Sequence, residues 1–137
     1  MGVAEMTPVE IDTELSALMA HQGEALRVKG HLEWSLQLDL RPGETARMEA
    51  ALGAVELELA DADRQAAPLV AEFERRGGWE RYYATTNKAN AHVHRRTDCR
   101  TCREGTRFLW LPQYAGTSPS KVRKEVDACS TCFRRWI

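Results

Sequence analysis

The stretch Cys99-Arg100-Thr101-Cys102, answered by Cys129-Ser130-Thr131-Cys132, decides how the 137-residue chain is read. All four cysteines belong to these two Cys-x-x-Cys pairs. A two-residue gap turns both thiolates of a pair toward one point. Two pairs therefore supply four soft ligands, and tetrahedral sulfur coordination is the arrangement of closed structural zinc sites. The 26 residues between the pairs, 103–128, are enough for a short hairpin and a short helix. The spacing predicts a zinc ion held by Cys99, Cys102, Cys129 and Cys132. Iron–sulfur ligation by four cysteines shares the spacing, with zinc the default.

Other uses of the cysteines fit less well. The opening Met1-Gly2-Val3-Ala4-Glu5 has neither the basic nor the apolar segment of a secretory leader, so a disulfide framework is not expected. A thioredoxin-like motif would be a single pair opening a helix after a strand. His92 and His94 precede the first pair in Ala91-His92-Val93-His94-Arg95. On a strand their rings share one face. His94, five residues before Cys99, could replace one cysteine; the expectation is that both rings stand beside the metal and orient its ligands.

Charge divides the chain more sharply than its net value of −1 implies. Residues 1–74 carry five basic against 15 acidic side chains, a balance of −10, and residues 75–137 carry 14 against five, a balance of +9. Such asymmetry points to a partner surface. No run of apolar residues is long enough to span a membrane.

Thr7-Pro8-Val9-Glu10 predicts a helix start, with Thr7 as cap, Pro8 in the first position and Glu10 closing a capping box. Ile11, Leu15, Leu18, Ala25, Leu32 and Leu36 then recur at spacings of three, four and seven, interrupted by Gln22 and Lys29. Arg41-Pro42-Gly43-Glu44 reads as a turn. Met48, Leu52, Val55, Leu59, Ala62, Ala66, Leu69 and Phe73 follow without a polar interruption, the seam of a coiled coil. Pro68 should kink this helix or begin a new one. Gly77 predicts its end.

Beyond it, Arg81–Thr86, Ala91–Arg95 and Thr106–Leu111 predict three strands, with Asn87–Asn90 a turn, and 119–128 a short helix delivering the second pair. The fold class is α+β: an acidic antiparallel helical hairpin over 1–78, then a basic zinc-bound hairpin-and-helix module over 79–137.

Several stretches resemble a largely uncharacterised family of small proteins of actinobacteriophages and actinobacteria. They are Pro68–Trp79, His92-Val93-His94, the first pair, Phe108-Leu109-Trp110-Leu111-Pro112, Tyr114-Ala115-Gly116 and Ala128–Phe133. The resemblance covers roughly residues 66–133. It implies an N-terminal helical region followed by a His/Cys-rich metal module, and a setting in the bacterial cytoplasm. Family members commonly continue Cys-Phe into Pro, where this chain has Arg134-Arg135-Trp136.

These features predict a zinc-stabilised interaction protein without catalysis that binds a host macromolecule, a host protein in the first reading. The candidate partner surface is Arg95, Arg96, Arg100 and Arg103 around the first pair, with Lys121, Arg123, Lys124, Arg134, Arg135 and Trp136 around the second. A homodimer through the hairpin is a further expectation. The alternative is sequence-tolerant nucleic-acid binding, with aromatic residues stacking on bases. An acidic half next to a phosphate backbone opposes it. A zinc nuclease is the least favoured reading. It would place a histidine between the pairs, and residues 103–128 contain none.

Overall fold

The computed structural model describes residues 2–86 and 92–135. It contains two long helices, α1 (Pro8–Ser35) and α2 (Pro42–Arg75), three short strands, β1 (Tyr83–Thr85), β2 (Val93–His94) and β3 (Phe108–Trp110), and a four-residue helix α3 (Pro119–Val122). The class is α+β, as the sequence predicts. The chain divides into two compact units, one of Glu14–Ala71 and one of Met1–Thr13 with Glu72–Ile137.

Within the first unit α1 and α2 form the antiparallel hairpin. Gln22 Nε2 donates to Asp63 Oδ1 at 2.6 Å, and Lys29 Nζ lies 3.9 Å from Glu56 Oε1. Seven residues forward on one helix are seven back on the other, the signature of antiparallel pairing. The two polar residues that interrupt the α1 seam thus find partners across it. Leu15, Ala25, Val55, Ala62 and Leu69 are buried along the seam. Met19, Leu26 and Trp34 are more than half exposed elsewhere on α1.

Three expectations are corrected here. Pro42, Gly43 and Glu44 are the first turn of α2, because proline suits a first helical position, and the chain reverses over 36–41 instead. Of the two outcomes expected at Pro68, a kink or a new helix, the second is excluded: Pro68 sits exposed inside a continuous α2. The helix predicted over 119–128 stops at Val122. Its continuation is drawn away because the Asp127 carbonyl accepts from the Val93 N–H at 2.8 Å. The predicted turn Asn87–Asn90 and Ala91 lie outside the described residues.

In the second unit the capping box closes reciprocally: the Thr7 N–H donates to Glu10 Oε1 and the Glu10 N–H to Thr7 Oγ1, both at 3.1 Å. At the far end of α2, Gly77 has φ +79°, and the Gly78 N–H reaches back to the Phe73 carbonyl at 2.8 Å. That six-to-one bond is a Schellman closure, which a left-handed glycine permits without strain. It aims the chain so that Trp79 and Arg81 converge on α1. Asp12, fully buried, accepts from Trp79 Nε1 at 3.0 Å and from both arms of Arg81 at 2.9 and 2.8 Å. The Arg81 guanidinium lies 3.7 Å from the Phe73 ring centre and 4.8 Å from that of Trp110.

The sheet order is β2-β1-β3, antiparallel throughout, with Tyr83 opposite both His94 and Trp110. One side carries the core of Tyr82, Val93, Val122 and Phe133. Phe133 stacks on Tyr82 at 5.9 Å, and the Tyr82 hydroxyl donates to the Thr117 carbonyl at 2.6 Å.

Two predictions follow from these contacts. Asp12→Ala leaves a guanidinium without its counter-charge between aromatic rings, so denaturant unfolding should show a loss of about 3–5 kcal/mol. An unchanged midpoint would show the pair to be dispensable. The second concerns Glu72, whose carboxyl is held near 2 by hydrogen bonds from Arg75 and Arg76. Because the folded value lies below the unfolded one, its contribution is complete above about pH 4.5 and fades as pH falls toward about 2. Glu72→Gln should flatten that part of the stability-against-pH curve.

Candidate metal centre

The second knuckle is delivered to β2 by backbone bonds. Val93 donates to the Asp127 carbonyl, and its own carbonyl accepts from the Cys129 N–H at 2.9 Å, a parallel bridge to the stretch around Ala128. Cys129 is thereby set beside His94, the next residue of the strand. The first knuckle closes on itself through the Cys102 N–H, which donates to the Cys99 carbonyl at 3.0 Å. The second does the same through the Phe133 N–H to the Cys129 carbonyl at 3.0 Å. Phe133, fully buried, anchors that turn in the core.

His94, Cys99, Cys129 and Cys132 bring four ligand atoms to within 4.8 Å of one another. Cys99 and Cys129 are 3.9 Å apart at sulfur, and His94 Nδ1 lies 3.5 Å from Cys132 Sγ. A tetrahedral zinc with ordinary bond lengths has S···S edges of about 3.8 Å and N···S edges of about 3.6 Å. These two edges match a zinc ion in size, and the four donors match one in type. Cys102 is a fifth donor. Its sulfur lies 3.5 Å from His94 Nε2, outside the group whose atoms are all mutually close. The four-cysteine set read from the spacing thus meets an imbedded imidazole that spacing alone does not include.

The surroundings tune these donors. Burial works to raise the Cys99 thiol, but hydrogen bonds from the Thr101 hydroxyl and backbone outweigh it and bring it below the usual thiol range. Thr101 Oγ1 lies 3.0 Å from Cys99 Sγ and 3.6 Å from Cys129 Sγ, linking the knuckles. Burial pushes the Cys132 thiol up to about 12 and raises Cys102 as well. Burial, aided by His92, lowers His94, which favours the neutral ring a metal requires. Phe108 meets the His94 ring edge-on at 5.9 Å and limits its rotation. His92 stands apart, with Nδ1 3.2 Å from Asp127 Oδ2. A cleft of about 620 Å³ opens beside the donors, walled by residues including Thr85, His92, Cys102 and Thr106.

The candidate partner residues divide into groups. Arg95 is forked onto Glu80 at 3.2 and 2.5 Å, and Arg96 onto Asp98 at 2.5 and 3.0 Å. Arg100, Arg103, Lys121, Arg123, Lys124, Arg134 and Arg135 are exposed. Trp136 lies outside the described residues. Of the aromatic residues of the basic half that could stack on bases, Tyr82 is fully buried, and Tyr83, Phe108 and Trp110 are half-buried with ring contacts to neighbours. Two contributors were missed in the sequence reading. Thr101 is signalled only by its place inside a knuckle, and the bridge from Val93 has no side-chain signature.

Single substitutions test the ligand set. Cys129→Ser should abolish binding of one metal per chain, and His94→Ala, which removes a donor, should weaken it by more than the roughly 100-fold that loss of an outer partner costs. Cys102→Ser should keep the metal. Elemental analysis and competition with a chromogenic chelator read all three; loss in Cys102→Ser with full retention in His94→Ala would restore the four-cysteine set.

Compared with protein-family models, with curated proteins and with solved structures, the chain finds no match, so its function is argued from the site alone.

Proposed function

We propose that the chain is a zinc-stabilised interaction protein, without catalysis of its own, whose basic module engages an acidic face of a partner protein. The observation that carries this reading is the donor cluster itself. Three thiols and an imidazole drawn from one strand and two knuckles gather within 4.8 Å of one another, the donor number a tetrahedral metal takes, and Cys99, Cys129 and His94 among them are buried. Such a shell holds parts of a fold together. An imidazole among the donors favours zinc over a four-cysteine iron–sulfur cluster. The resemblance to phage-type proteins makes a host protein the natural partner.

The exposed Arg and Lys side chains around the knuckles support an anionic partner. The inward packing of Tyr82, with the ring contacts of Tyr83 and Trp110, leaves little aromatic surface for stacking on bases, which weighs against nucleic acid.

Two measurements test the proposal. Stripping zinc with a chelator should abolish near-ultraviolet circular dichroism from the module while most helical signal persists, because metal binding is folding energy for so small a unit. Retention of both signals would overturn the structural role of the metal. Affinity capture with cross-linking, after nuclease treatment, should join a protein to the knuckle surface; capture lost on nuclease treatment would favour the nucleic-acid reading.

A further inference from the structure

Two adjoining clefts lie over the knuckles, one of about 630 Å³ and one of about 370 Å³. They share three wall residues: Arg100, Thr131 and Arg134. Arg100 sits inside the first knuckle, and Arg134 follows the second. The larger cleft also contains Arg95 and Arg96, but their forks are already closed on Glu80 and Asp98. No hydrogen bond or ion pair joins the Arg100 or Arg134 guanidinium to any described residue. Nor does one engage the hydroxyls of Ser130 and Thr131, which face the smaller cleft with them.

We propose that this double cleft is a carboxylate-binding site that receives acidic side chains of a peptide segment of the partner. The inference rests on the interaction function above and specifies where and with what chemistry it occurs. A guanidinium fork matches a carboxylate bidentately, and hydroxyls beside it donate to the remaining lone pairs. Carboxylate and phosphate share that chemistry, and two observations choose between them. Among the described residues, no aromatic side chain lines either cleft to stack a base. Asp98 stands on the wall of the larger one and interrupts the continuous basic track that a run of phosphates requires, whereas a carboxylate needs only a guanidinium fork such as that of Arg100 or Arg134.

A metal held by both knuckles would fix the spacing of the two forks. Arg100 and Arg134 belong to separate knuckles, which meet where Cys99 and Cys129 come within 3.9 Å at sulfur. Removing a bound ion would leave the same charges but take away the bond that ties the two knuckles together. Carboxylate recognition is therefore zinc-dependent, whereas diffuse attraction of a basic surface is not.

The test is fluorescence anisotropy of the full chain with labelled poly-glutamate and, in parallel, a labelled single-stranded oligonucleotide, at about 150 mM salt. Poly-glutamate should bind more tightly than the oligonucleotide. Arg100→Ala/Arg134→Ala, checked to contain one zinc per chain, should weaken peptide binding by about tenfold or more. Arg27→Ala/Arg64→Ala, which removes equal charge from the hairpin, should change it less than about twofold, and chelation should remove it. Equal losses in the two double variants, or binding that survives chelation, would reduce the site to general attraction and overturn it. Tighter oligonucleotide binding with the same arginine dependence would overturn the carboxylate assignment. If a captured partner protein cross-links elsewhere on the module, the interaction function stands and this site falls.

Discussion

The approach of two knuckles to one strand is the constraint on which the C-terminal module depends. Sheet and core here are small: β2 has two described residues, and four buried side chains make the main cluster. A module of this size rarely holds itself together by apolar burial alone. Val93 binds the second knuckle from both of its backbone groups, and its neighbour His94 turns into the donor cluster. One dipeptide thus joins strand, core and metal site. The ladder brings the donors near, and the ion would supply the energy that the short strands lack.

A second organising contact works where α2 ends. The left-handed Gly77 turns the chain, and Trp79 and Arg81 close on Asp12 near the start of α1. A buried carboxylate is tolerable because three donors reach it, and the guanidinium is tolerable because aromatic faces flank it. The arrangement gives the first turns of α1 a place in the C-terminal unit, so Met1–Thr13 group with residues that follow α2.

Helical periodicity and cap chemistry made the hairpin legible from the sequence, since a seam of eight apolar positions and a Thr-x-x-Glu box each have one ready explanation. Pro42 was misleading because proline serves a turn and a first helical position equally well. In the module, cysteine spacing identified the donors, but spacing is one-dimensional. Which of five donors form the mutually close set depends on the Val93 bridge, a backbone contact that carries no residue signature. Asp12 was likewise hidden, because a lone acid near a helix start reads as a dipole partner until the chain returns to cover it.

Charge was the least legible property of all, because a count of basic residues treats every arginine alike. Structure separates them by what already occupies their donors. Arg95 and Arg96 hold carboxylates of their own module, and one Arg95 arm reaches the Cys132 carbonyl at 3.4 Å. These two support the knuckles more than they advertise charge. A zinc with three thiolates would itself carry about one negative charge, so some of the surrounding positive charge compensates the centre. The exposed positive charge left uncompensated is therefore smaller than the balance of +9 implies, with Arg100 and Arg134 at the meeting of the knuckles among it.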